Sequence, residues 1–103
     1  MNKIYIYHFY NTTKIWLKTN NSLTEVEIKE QNISVFFYKY LEDILIKNKL
    51  SYSDINEFIF INGPGSFTSL RFFLTFAKAL FVSYPEIVFI PLNLLEIIGF
   101  ANE

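Results

Sequence analysis

A chain of 103 residues, 51% of them hydrophobic, is enough for one domain with one core and too short for two. Its net charge of −1, from nine basic and ten acidic residues spread along the chain, excludes the basic footprint of an autonomous nucleic-acid binder. The lack of Cys excludes disulfides and thiolate metal sites, and a single His excludes a multi-histidine metal site.

In chain order, residues 3–9 are β-branched and aromatic and predict a first strand, with a turn at Asn11-Thr12. Residues 14–18 predict a second strand, Asn20-Asn21 a turn, and Leu23, Val26 and Ile28 a short third strand. From Ile33 the period changes: Ile33, Phe36, Phe37, Tyr40, Leu41, Ile44 and Leu45 recur at three- and four-residue spacing, an amphipathic helix capped by Asn32 and ending near Lys49. A polar connection at 51–54 leads to a compact apolar run at 57–62, the length of a buried central strand. Gly63-Pro64-Gly65 breaks that run, and Ser66 caps a second helix predicted over 67–82. After Pro85, residues 86–90 predict a fifth strand, and Asn93 opens a last helix through Ile98 before Gly99.

The order β-β-β-α-β-α-β-α implies an α/β fold, a mixed sheet with helices packed on it. Repeats, linkers and low-complexity segments are absent, so residues 1–103 read as a single domain. The opening residues lack a signal-peptide cleavage pattern, and the apolar stretch 70–82 is interrupted by Arg71, Thr75 and Lys78, so no membrane span is predicted and a cytoplasmic location is expected. Twelve Phe and seven Tyr are more bulky apolar surface than so small a domain easily hides. Either a partner covers the surplus or the core is unusually rich in Phe.

At 100° per residue, Phe67, Leu70, Leu74, Ala77 and Phe81 form one stripe of the second helix, read here as the side packed on the sheet. Phe72, Phe76, Ala79 and Ser83 lie roughly opposite, with Phe73 and Leu80 between, and Arg71, Thr75 and Lys78 make the only polar strip. A helix apolar on most of its circumference is buried on both sides.

Residues 62–71 read Asn-Gly-Pro-Gly-Ser-Phe-Thr-Ser-Leu-Arg, between a predicted strand and a predicted helix. This resembles the Gly-Pro-Gly-Ser-Phe-Thr-Gly-Leu-Arg signature of the TsaB (YeaZ) family. Gly63, Pro64, Gly65, Ser66, Phe67, Thr68, Leu70 and Arg71 match it, and Ser69 stands where the family has Gly. The resemblance extends to Asp54-Ile55 after Leu50, to Ala77-Lys78 and to Leu95-Glu96, and so covers residues 50–98. By its residues the loop is a stiff strand-to-helix corner; its free amides could alternatively hold a phosphate, although the Lys and spacing of a P-loop are missing.

The resemblance implies one lobe of the ribonuclease H-like fold shared by actin, sugar kinases and Hsp70 chaperones. It also implies a non-catalytic subunit in the synthesis of threonylcarbamoyladenosine (t6A) on transfer RNA, paired with TsaD through two helices from each subunit, with TsaE as a further expected contact. On that basis the candidate interface comprises Phe36, Phe37 and Tyr40 on the first helix and Phe72, Phe76 and Ala79 on the second, bordered by Arg71 and Lys78. The alternative is that other helices of the same chain cover this face.

Where the family commonly reads Ile-Asp-Thr-Ser at the end of the first strand, this chain reads Tyr7-His8-Phe9-Tyr10, so His8 replaces the acid. A neutral imidazole cannot do a carboxylate's electrostatic work beside magnesium, and nucleotide hydrolysis is not expected. Ser66 and Thr68 lack the partners of a nucleophile, and Glu42-Asp43 read as a solvated helix face. The family's second lobe would begin where residue 103 ends, and Phe73 stands where the family usually has Gly. The expectation is a pseudo-enzyme without metal or cofactor, making no direct contact with nucleic acid or membrane. Two rivals stay open: a small phosphate- or nucleotide-binding enzyme using loop 63–68, and a degenerate homologue that self-associates as a homodimer through the same helices.

Overall fold

The computed structural model describes residues 1–9, 12–29, 33–62 and 67–93 and, within them, every side chain except those of 9, 33–36, 62, 67–69 and 93. Alternation sets the first three strands: β1 (Lys3–Phe9), β2 (Thr12–Lys18) and β3 (Leu23–Ile28) place every second residue on one face. Ile4 and Ile6 lie in register with Leu17 and Ile15, and all four are fully buried. A slip of one residue would move the whole set into solvent, so the apolar pattern fixes the register. The hairpin between β2 and β3 is closed by Thr19, whose N–H donates to the Ser22 carbonyl at 2.9 Å and whose Oγ1 accepts the Ser22 N–H at 3.0 Å.

Helix α1 (Ile33–Lys47) crosses to β4 (Glu57–Asn62), and α2 (Phe67–Ser83) crosses to β5 (Val88–Asn93). The sheet runs β3-β2-β1-β4-β5, antiparallel across the first three strands and parallel from β1 through β4 to β5. This is the mixed five-stranded α/β sheet expected of a ribonuclease H-like lobe. The predicted last helix, 93–98, lies outside the described residues apart from Asn93, which ends β5. No helix among the described residues is long and apolar enough to cross a membrane.

Both helices cover the same face, and aromatic rings fill the space beneath them. Phe37 of α1 meets Phe76 of α2 edge to face at 5.1 Å, while Phe60 of β4 stacks on Phe73 of α2 at 5.0 Å and Phe58 stacks on Phe89 of β5 at 5.5 Å. The Phe-rich composition is therefore largely a core property among the described residues: Phe37, Phe58, Phe60, Phe73 and Phe76 are all buried.

β5 starts and ends later than the predicted 86–90. Pro85 and Glu86 form a turn in which the Ile87 N–H reaches the Tyr84 carbonyl at 3.2 Å, so Ile87 is buried but still outside the strand. The strand then continues through Pro91, which is tolerated because β5 is the edge of the sheet among the described residues.

The end of α1 holds a feature that the sequence pattern did not reveal. Lys49 adopts φ 58°, a left-handed conformation in which a β-carbon costs about 1–2 kcal/mol. Its N–H donates to the Ile46 carbonyl at 3.0 Å and the Leu50 N–H to the Leu45 carbonyl at 2.9 Å, the paired bonds of a Schellman cap usually built with Gly. Lys49→Gly is expected to raise the unfolding free energy by roughly 1 kcal/mol, read as a higher urea midpoint at unchanged slope.

Candidate functional site: the outer helix face and the end of β1

The motif stretch joins β4 to α2, which puts its last residues in the first turns of the helix. Gly63, Pro64, Gly65 and Ser66 lie outside the described residues, and with them the corner, the cap and the alternative phosphate cradle. Phe67 and Thr68 begin α2 by their backbone, Leu70 is half-buried, and Arg71 is exposed.

The orientation of α2 corrects the sequence reading. Phe73 and Phe76 are wholly enclosed, with Phe72, Ala77 and Leu80 packed against the core beside them, whereas Leu74 is 45% and Phe81 56% exposed. The stripe expected to meet the sheet is thus turned about a quarter of the way outward. The cause is the polar strip: Arg71, Thr75 and Lys78 all face solvent, and the side opposite them, centred on Phe73 and Leu80, is the one left to pack inward. Placing the few polar residues in water decides the rotation, because apolar side chains are abundant all round the helix.

The candidate interface changes accordingly. Phe37 and Phe76 face the core and offer nothing to a partner, a correction that their complete burial requires. Tyr40 and Phe72 are half-buried, Ala79, Arg71 and Lys78 are exposed, and the Phe36 side chain lies outside those described. The structure adds residues that helical periodicity had assigned inward or passed over: Leu74, Phe81 and the 82%-exposed Val82 on α2, and Tyr38 and Ile46 on α1. Tyr38 links the two helices, its ring 5.4 Å from Phe76 and 6.3 Å from Phe72. The outer surface is therefore a polar strip of Arg71, Thr75 and Lys78 with apolar residues on both flanks.

At the other candidate position, His8 ends the buried row of β1 that begins with Ile4 and Ile6. Its Nδ1 lies 2.8 Å from Oγ1 of Thr13, which is itself buried, and its ring meets the edge of Phe73 at 6.5 Å. Burial pushes its pKa below the ordinary 6.5 and keeps the imidazole neutral. In register it neighbours Asn62 of β4, which in turn neighbours Asn93 of β5, so the row across the parallel strand ends carries no carboxylate. Among the described residues no group of three His, Cys, Asp or Glu comes together to hold a metal ion.

The lowered His8 pKa has a consequence for stability. Below pH 6.5 the unfolded chain binds a proton that the folded chain resists, so the contribution is present at neutral pH and is lost as pH falls through the ordinary value towards the lowered one. The melting temperature is expected to drop between about pH 7 and about pH 5, and less steeply in His8→Asn, as followed by circular dichroism.

The model of the family TsaD, tRNA N6-adenosine threonylcarbamoyltransferase, matches residues 26–103. Among curated proteins, MG208 of Mycoplasma genitalium is 39% identical over 91 residues, covering 87% of this chain and 46% of that protein. The MG208 homologue of Mycoplasma pneumoniae is 30% identical over 92 residues, covering 88% of this chain and 47% of that one. The chain spans about half the length of these relatives. Among solved structures, YeaZ from Pseudomonas aeruginosa superposes with a TM-score of 0.77 at 14% identity, over 90% of this chain and 45% of that chain. A protein described as similar to peptidase YeaZ from Pseudomonas aeruginosa gives the same TM-score and identity over 89% and 43%. With its family-model match covering most of its length and its fold that of YeaZ, this chain belongs to the TsaD family, that of tRNA N6-adenosine threonylcarbamoyltransferase.

Proposed function

We propose that the chain is a non-catalytic partner subunit of the t6A modification machinery, a scaffold that packs the outer face of α1 and α2 against TsaD. The observation that carries this reading is a set of exposed apolar residues on either side of the polar strip, Leu74, Phe81 and Val82 on α2 and Tyr38 and Ile46 on α1, in a chain with the YeaZ fold. Apolar residues held in water on neighbouring helices are stabilised by burial against a second protein, and Arg71 and Lys78, in the strip between them, offer charged partners to such a contact. The neutral His8 at the end of β1 supports a role without nucleotide chemistry, since it brings no anion to a metal.

Its contribution would be conformational, holding the catalytic subunit in an active arrangement, with TsaE docking on the assembled pair. Co-purification of the chain with the TsaD of the same organism tests the proposal. A stable one-to-one complex is the expected result. A chain that stays alone, or that elutes only as a homodimer through the same helices, overturns it. Tight ATP binding by the isolated chain, measured by calorimetry, would favour a nucleotide-binding enzyme instead.

A further inference from the structure

We propose that the groove at the C-terminal ends of α1 and α2 receives a segment of another protein that carries an apolar side chain with a Lys or Arg beside it. The groove lies at the C-terminal end of α2 and shares only Ile46 with the face proposed for TsaD, on which it does not rest. The short 3-10 turn after α1 (Tyr52–Asp54) and the residue that follows α2 meet there through Tyr52 and Tyr84, whose rings are 5.8 Å apart. A recess opens on each side of Tyr84.

The first recess, about 220 Å³, has an apolar floor of Leu45, Leu50 and Tyr52, with Ile46 on its rim and Glu42 at its mouth. It is smaller than the cavities that enclose whole small-molecule ligands and suits a single inserted side chain. Ile46 is 72% exposed, so the apolar lining runs out onto the surface, where an incoming residue would cover it. The second recess, about 360 Å³, is bounded by Ser53, Ser83 and Glu86, with buried Ile55 and Ile87 also lining it.

Charge selects the occupant. Among the described residues lining the two recesses there are two carboxylates, Glu42 and Glu86, and no Lys, Arg or His. The ion pairs among the described residues are Lys3–Glu57, Lys14–Glu25 and Lys29–Glu27, so neither groove carboxylate is neutralised in this way. The Tyr52 hydroxyl is pushed up to about 12, by burial first and then by Glu42 and the neighbouring tyrosines, and stays a neutral donor at the base of the first recess. An acidic segment would meet a like charge at either recess, whereas a basic one finds a carboxylate at either, Glu42 or Glu86, while its apolar neighbour enters the first recess.

Amide NMR on the whole chain, titrated with the blocked peptide Ac-Leu-Ala-Lys-NH2, tests the inference, with Ac-Leu-Ala-Glu-NH2 and Ac-Ala-Ala-Lys-NH2 as comparisons. Saturable shifts at Leu45, Ile46, Leu50, Tyr52, Tyr84 and Glu86 are expected with the first peptide, and much smaller ones with the other two. Glu42→Lys and Glu86→Lys, both at exposed positions, are expected to weaken that binding by at least ~10-fold while leaving the spectrum otherwise unchanged. Equal shifts with the acidic peptide remove the role of charge, and equal shifts with the Ala peptide remove the apolar anchor. Either result, shifts confined to other surfaces, or no saturable response to the first peptide overturns the proposal.

Discussion

Phe73→Ala is expected to cost about 3–5 kcal/mol of folding free energy, a large share of the roughly 5–15 kcal/mol that holds a typical domain together. Phe73 is fully enclosed, stacked on Phe60 at 5.0 Å, tilted against Phe37 at 5.8 Å and Phe72 at 5.7 Å, and edge-on to His8. Among the described residues it is the one ring in contact with the rings of β4, α1 and the end of β1, and truncating it leaves a cavity beneath α2. Urea denaturation of the variant beside Phe81→Ala measures the effect. The exposed Phe81 substitution should stay within about 0.5 kcal/mol of the parent. A loss below about 1 kcal/mol for Phe73→Ala would mean that α2 is not seated as described.

The second large effect is on binding. If the chain pairs with TsaD as proposed, the double substitution Leu74→Glu and Phe81→Glu is expected to weaken that pairing by at least ~30-fold, the loss of one strong interface anchor, with little change in the melting temperature. Both side chains are about half exposed, so the added carboxylates can reach water in the isolated chain at little cost, but in a complex they would be desolvated without a partner. Phe76→Glu would be a poor substitute, because that ring lies in the core and the variant would fail to fold before it failed to bind. Titration by surface plasmon resonance gives the ratio of affinities. Unchanged affinity for the double variant would move the contact away from the outer face of α2.

β1 and β4 were the most legible parts of the sequence, because alternation and strand length leave little freedom, whereas β2 begins at Thr12, inside the predicted turn. Residues 3–9 and 57–62 form β1 and β4 with the predicted bounds, and the three-and-four spacing of Phe37, Leu41, Ile44 and Leu45 marks the buried side of α1. The rotation of α2 was misread since counting apolar residues cannot choose a face when apolar residues lie on nearly every side. The position of Arg71, Thr75 and Lys78 held the needed information, and reading the polar strip as the outward direction recovers Phe73 and Phe76 as core. β5 was misplaced because buried Ile87 imitates a strand residue while belonging to the turn after Pro85. The left-handed Lys49 carries no signal in composition, since Gly would ordinarily mark such a cap. The groove beside Tyr84 depends on residues distant in sequence, from Glu42 to Ile87, and only the crossing of the chain brings them together.

The alternation of β2 has a practical consequence for all of these measurements. Ile15 and Leu17 point under the helices, so half-buried Trp16 between them projects from the opposite side of the sheet, beside Tyr7 at 6.5 Å. The only indole in the chain is thus an optical reporter for the side that α1 and α2 leave alone. A protein seated on the helices should leave its emission wavelength where it was, while anything that shields the far side should shift it to the blue, so one fluorescence spectrum distinguishes the two modes of attachment.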